Sequence, residues 1–110
     1  PLVTISPAEV SATRHLIGLS ISELAEQLRV SRMSVHDWER GKFTPREGLV
    51  SDLLALREAH DRALDELADY HEAQGGIIEL PAEPMPQGWY RALGARLLDQ
   101  YPDAMLEWAE

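Results

Sequence analysis

The strongest constraint on this chain lies between Leu19 and Pro45, where the run LSISELAEQLRVSRMSVHDWERGKFTP sets two short helical patterns almost end to end. Ser20 is placed to cap the first, with Glu23 three residues on as the reciprocal member of a capping box. Leu24, Ala25 and Leu28 then give residues 21–28 one apolar face at helical spacing. Ser31 caps a second helix over 32–40, with Val35 and Trp38 inward and Gly41 as its C-terminal stop. Only Arg29-Val30-Ser31 is left for the turn.

A connection of about three residues is the length found in a helix-turn-helix unit. The residues also match a pattern: Ser20, Glu23-Leu24-Ala25, the Val30-Ser31 turn, and Trp38-Glu39-Arg40-Gly41-Lys42. With these pieces the segment resembles the helix-turn-helix of the Cro/CI-like (XRE) repressors. The resemblance implies a lambda-repressor-like head that docks on double-stranded DNA. Two positions depart from the family pattern. Arg29 stands where many relatives have Gly, and must accept a less favourable backbone. Ile21 stands where many have Gln, so the contact from the start of this helix falls to Ser20, Ser22 or backbone amides.

Net charge is −9, which on its face argues against nucleic acid, but the charge is unevenly spread. Residues 1–46 hold six basic against five acidic side chains, hence +1; residues 47–110 hold four against fourteen, hence −10. Phosphate would repel the second half, which should face away from a duplex. The 110 residues suit one domain or a small domain with an appended dimerisation element. The expected division is a DNA-binding region at 1–46 and an acidic helical dimerisation region at 47–110. There is no cysteine, which removes disulfides and Cys-based zinc sites and fits a cytoplasmic protein. No apolar run approaches the ~18 residues of a membrane span, and no signal peptide is recognisable. The start at Pro1 is expected to reflect a lost initiator Met or a trimmed chain.

In order, residues 1–5 form an extended lead-in. Ser6-Pro7 opens a helix reaching Ile17, with Val10, Leu16 and Ile17 inward and Gly18 ending it. The resemblance implies that Arg14 on this helix pairs with Glu39, a scaffold contact. Phe43, the one Phe of the chain, is expected to plug the core beneath the loop at 42–46. From Arg46 to Ala73 runs one long helical pattern, with a heptad seam at Leu49, Leu53, Leu56, His60, Ala63, Leu67 and Tyr70. Gly75-Gly76 stops it. Ile77 to Leu80 is a brief strand candidate with no evident partner, expected to pair antiparallel with its copy in a dimer. Pro81, Pro84 and Pro86 make a stiff link. An amphipathic helix follows from Gln87 to Asp99, and Tyr101-Pro102-Asp103 restarts a short last helix bearing Met105, Leu106 and Trp108.

The family motif projects the start of its second helix into the major groove. The base-facing candidates are therefore Arg32, Met33, His36 and Asp37. Arg32 suits guanine O6/N7 or a phosphate; Met33 suits a thymine methyl or the core. His36 can donate to guanine or phosphate, and Asp37 can accept from cytosine N4 or orient an Arg. Phosphate candidates are Ser20, Ser22, Ser31, Ser34, Arg40, Lys42 and Arg46. Trp38 belongs to the core. Leu53, Leu56, Leu64, Leu67, Ile77, Ile78, Trp89 and Leu93 are the expected dimerisation residues. His60 and His71 read as polar members of a packing seam, with no metal site, and no catalytic constellation or cofactor motif is present.

The whole is an all-α fold: a helix-turn-helix head, a long helix and C-terminal dimerisation helices, with one short strand. The function expected is a dimeric repressor binding an inverted repeat in its own promoter. Among the family, the phage repressors of the anti-CRISPR-associated kind have this layout, and antitoxins of the HigA kind are the nearest rival. The competing class is a protein-interaction module whose acidic half binds a toxin or other basic partner.

Overall fold

Ser6 fixes where the first helix begins. Its hydroxyl accepts from the Glu9 N–H at 3.1 Å, and its own N–H donates to Glu9 Oε1 at 2.8 Å, opening α1 (Pro7–Leu16). The structure, a computed structural model, describes residues 4–110, so the expected lead-in at Pro1, Leu2 and Val3 lies outside the described residues. Ile17 lies just past α1, fully buried, and Gly18 turns the chain at φ +76°. Then come α2 (Ile21–Leu28) and α3 (Arg32–Glu39). α3 packs on both α1 and α2, so the three helices share one core around Val10, Ile17, Leu24, Leu28, Val35 and Trp38.

The long helix α4 (Glu47–Gln74) has 28 residues. At 1.5 Å per residue it is about 42 Å long, which accounts for most of the molecule's 46 Å dimension. Its near half packs on α2 and its far half on α5 (Gln87–Gln100). The heptad seam is satisfied inside the chain: Leu53 and His60 are buried, Leu49, Leu56, Ala63 and Leu67 half-buried, and Tyr70 exposed. Neighbouring Val50 and Leu64 are buried too, so the apolar stripe is the wide one of a helix on a globular core.

The C-terminal end corrects two expectations. Residues 105–108 are a strand, β2 (Met105–Trp108), where a short helix was expected. It pairs parallel with β1 (Ile77–Leu80), in the register Ile77 with Met105 through Leu80 with Trp108. β1 therefore finds its partner 28 residues downstream in its own chain and does not depend on a copy. The physical reason is the crossover: α5 is the helical connection that two parallel strands require, and pairing with β1 gives the backbone of residues 105–108 its partners. Ile78, Leu80 and Leu106 face α5, where Gly94 leaves them room. The architecture is mostly helical, five helices among the described residues, with this small sheet added.

A polar clamp holds α4 to α5. His60 is fully buried; its Nε2 lies 3.0 Å from the Trp89 carbonyl and its Nδ1 2.8 Å from Arg96 Nη1. Arg96 is a permanent donor, so Nδ1 accepts, and Nε2–H donates to Trp89. Arg96 also reaches Asp61 at 2.7 Å, and Asp61 is 3.4 Å from Arg57. Farther along, the Tyr101 hydroxyl donates to Glu72, and His71 stacks edge-on against Tyr101. Gly18 and Gly88 join α5 to the head: a Cβ on Gly18 would stand 1.9 Å from the Gly88 carbonyl oxygen. Among the described residues no helix is long and apolar enough to cross a membrane.

Candidate nucleic-acid interface

The turn between α2 and α3 is shaped by its ends. Ser20 caps α2 through the Glu23 N–H at 3.1 Å, and Glu23 returns the bond to the Ser20 N–H at 2.9 Å. At the other end Arg29 adopts φ 57°, ψ 44°, the left-handed conformation that Gly occupies at least cost. This lets the Val30 N–H close on the Ala25 carbonyl at 3.0 Å. Ser31 then caps α3: its hydroxyl accepts from the Ser34 N–H at 3.1 Å and pairs with the Ser34 hydroxyl at 2.9 Å. The corner is fixed by backbone geometry and three serines.

α3 is held from behind by an ion pair. Arg14 Nε lies 2.6 Å from Glu39 Oε2 and its Nη2 3.0 Å from Oε1, a two-pronged contact with both side chains about nine-tenths buried. Arg14 Nη1 also donates to the Leu19 carbonyl. These bonds hold the Glu39 carboxyl below the usual carboxylate range, against the opposing effect of burial. One guanidinium thus ties together α1, the end of α3 and the turn before α2.

That scaffold leaves a defined surface. Arg32 is exposed and Met33 is 63% exposed, so Met33 lies outside the core. His36 is half-buried, and its Nδ1 is enclosed without a hydrogen-bond partner. Asp37 is a correction. At 8% exposure it sits against the body of the head and is withdrawn from the base-facing set. As the i+4 neighbour of Met33 it shares that residue's side of α3, so its burial is not readable from helical spacing. Val35 and Trp38 are buried as core.

Of the phosphate candidates, Ser20, Ser22, Ser31, Arg40, Lys42 and Arg46 are exposed and Ser34 half-buried. Ser31 and Ser34 already spend hydroxyl capacity on the cap, which leaves the amides of Arg32 and Met33 at the open end of α3. Arg40, Lys42 and Arg46 lie past the other end of that helix. Ile21 is half-buried against the core, which explains an apolar residue at that position. Phe43 is a second correction: it is 60% exposed, and Lys42 Nζ stands 5.6 Å from its ring centre. Pro45 is the buried residue of this loop and fills the place beneath it that the sequence suggests for Phe43.

The expected dimerisation residues divide sharply. Leu53, Leu64, Ile78, Trp89 and Leu93 are buried in the chain's own core, Leu56 and Leu67 are half-buried against it, and Ile77 alone is largely exposed. A residue already covered by its own fold has little surface left to offer. Sequence patterning identified them as apolar and could not distinguish α5 from a second subunit as their cover.

Residues 12–56 match the family model described as helix-turn-helix, from the middle of α1 into the first third of α4. No curated protein matches the chain.

Proposed function

We propose that the chain is a DNA-binding transcription regulator of the Cro/CI-like (XRE) kind, acting as a dimeric repressor on an inverted repeat in its own promoter; the helix-turn-helix match at residues 12–56 supports the DNA-binding part of this reading. The observation that carries this is the open N-terminal end of α3. Arg32 and Met33 stand exposed there beside uncapped amides, on a corner locked by Arg14 and Glu39. Arg32 reads guanine and Met33 meets a thymine methyl, while Arg40, Lys42 and Arg46 neutralise phosphates. Two heads related by a twofold would set their recognition helices about 34 Å apart, one turn of the duplex. Residues 47–110 supply the acidic, dimerising half, turned away from the DNA, and the protein works in the cytoplasm.

The test is a salt-titrated binding measurement on the chain's own upstream sequence. Specific affinity should fall steeply with salt, Arg32→Ala should lose about 1–3 kcal/mol of specific binding, and Lys42→Ala should lower the salt slope by about one. Equal affinity for that sequence and for random duplex would sink the repressor.

A second reading is favoured by one observation. Glu79 lies directly across from Glu107 on the exposed face of the sheet, in a half with net charge −10. Like charges so placed cost stability and suit a basic protein partner, as in an antitoxin.

A further inference from the structure

We propose that the free edge of β2 is the dimer contact: β2 pairs antiparallel with β2 of a second copy, giving one four-stranded sheet across the twofold. This rests on the dimeric reading above and replaces the buried residues expected to form that contact.

The Ala109 N–H donates to the Leu80 carbonyl at 2.9 Å, which fixes the side of β2 that faces β1. Successive residues of a strand alternate sides, so Leu106 and Trp108 turn their N–H and C=O groups outward. Among the described residues no backbone group outside the ladder takes them. α5 lies across β1 and leaves β2 at the margin. The uncovered space there is an open cleft of about 290 Å³ lined mainly by Leu80, Leu98, Leu106 and Trp108, with the charged Arg91 and Glu107 also on its wall. A strand laid beside β2 would place its alternate side chains in that cleft.

The second copy's β2 has the right pattern. Its inward-facing side chains are Leu106 and Trp108, apolar like most of the cleft they would enter, and a twofold makes the exchange mutual. A typical interface buries about 800 Å² per partner, near a ninth of the 6971 Å² surface. A four-residue edge cannot supply that alone; the cleft, with Leu98 38% and Trp108 42% exposed, adds apolar area beside it. Charge selects the register. Centring the twofold on Glu107 would oppose two carboxylates, whereas centring it on Leu106 sets Glu107 against the partner's Met105 and Trp108 against the partner's Ala104.

The natural chain has no cysteine, so single-cysteine variants of the full chain report the contact cleanly. Leu106→Cys should cross-link to a dimer under mild oxidation, and Ile77→Cys on the far edge should not. In sedimentation equilibrium, wild type should be dimeric at micromolar concentration, and Trp108→Lys should shift it to monomer with an unchanged circular dichroism spectrum. A wild-type monomer, cross-linking through Ile77→Cys only, or a folded Trp108→Lys that remains dimeric would each overturn the proposal. A monomer that binds a Lys-rich extended peptide would assign the edge to a basic partner instead. Operator binding is scored separately: a dimer joined at β2 that ignores its promoter refutes the repressor and keeps the interface.

Discussion

The head and the C-terminal half are held together by different chemistry. In the head, order comes from contacts close in sequence: two capping boxes, the left-handed Arg29 and the Ser31 cap, with Arg14–Glu39 as the one long-range side-chain tie among the described residues. In the C-terminal half, order comes from groups far apart. His60 meets Trp89 and Arg96, Gly18 meets Gly88, and β1 meets β2. Local devices can be recognised in a sequence because spacing defines them; the distant contacts have no such signature.

The glycine junction gives the largest expected effect. Gly18→Ala places a Cβ 1.9 Å from the Gly88 carbonyl oxygen at a backbone φ of +76°. Both partners are backbone, so neither can swing aside. Left-handed strain of about 1–2 kcal/mol and overpacking of about 1–3 kcal/mol together predict a loss of roughly 3 kcal/mol, read as a lowered midpoint in urea unfolding. Gly48→Ala is the matched control inside α4, with nothing within 4 Å. It should be neutral or stabilise by up to about 1 kcal/mol. An equal response at both positions would mean that α5 does not rest on the head.

Acid should separate the two halves. Burial pushes His60 below the ordinary imidazole value of 6.5, and the nearby Arg96 and Arg57 charges add to this, against the Trp89 carbonyl and Asp61. Its native state therefore resists a proton that the unfolded chain accepts. The stability it contributes is complete above pH 6.5 and is lost as pH falls from there toward the lowered value. Protonation also turns Nδ1 into a donor facing Arg96. Glu39 is lowered from 4.5, chiefly by the Arg14 hydrogen bonds, so its contribution persists above pH 4.5 and fades below it. Hydrogen exchange should show α5 and the far half of α4 loosening as pH falls below 6.5, with the head following only below 4.5. In His60→Gln the first transition should vanish while the second remains.

This contrast also sets what was legible beforehand. The helices of the head and the capping residues follow from spacing and motif, to within about one residue, and the Arg14–Glu39 pair follows from the family resemblance. The exceptions in that region are side-chain directions: Asp37 turns inward although it lies one turn after the exposed Met33, and Phe43, in the loop past α3 where no period applies, turns outward. In the other half, the long helix and α5 were visible as apolar stripes, but their cover was not. Ile77 to Leu80 read as a strand, while Met105-Leu106-Glu107-Trp108, with the same apolar–apolar–Glu–apolar order, did not: it lacks the β-branched Ile pair and follows the helix-start signal at Pro102-Asp103. Only the crossover through α5 makes them partners.

Arg29 tests how far local devices govern the head. A non-Gly residue at φ 57° carries roughly 1 kcal/mol of backbone strain, and its exposed side chain makes no ion pair among the described residues. Arg29→Gly should raise stability by up to about 1 kcal/mol in chemical denaturation. Any fall in DNA affinity would then belong to the lost charge, and Arg29→Asn should separate the two, tolerating the conformation without the cation.

The smallest effect belongs to Phe43, and it sharpens the comparison from the other side. An aromatic plug under the loop would cost about 3–5 kcal/mol on truncation. A ring 60% exposed and touched by Lys42 should cost less than about 0.5 kcal/mol as Phe43→Ser. Pro45, the buried residue of the same loop, should be the sensitive one. If Phe43→Ser left the thermal midpoint unchanged yet weakened DNA binding with the same salt slope, the ring would be making an apolar contact with the duplex beside Lys42. A shift of the midpoint by several degrees would instead return Phe43 to the core and make the loop part of the head's long-range packing.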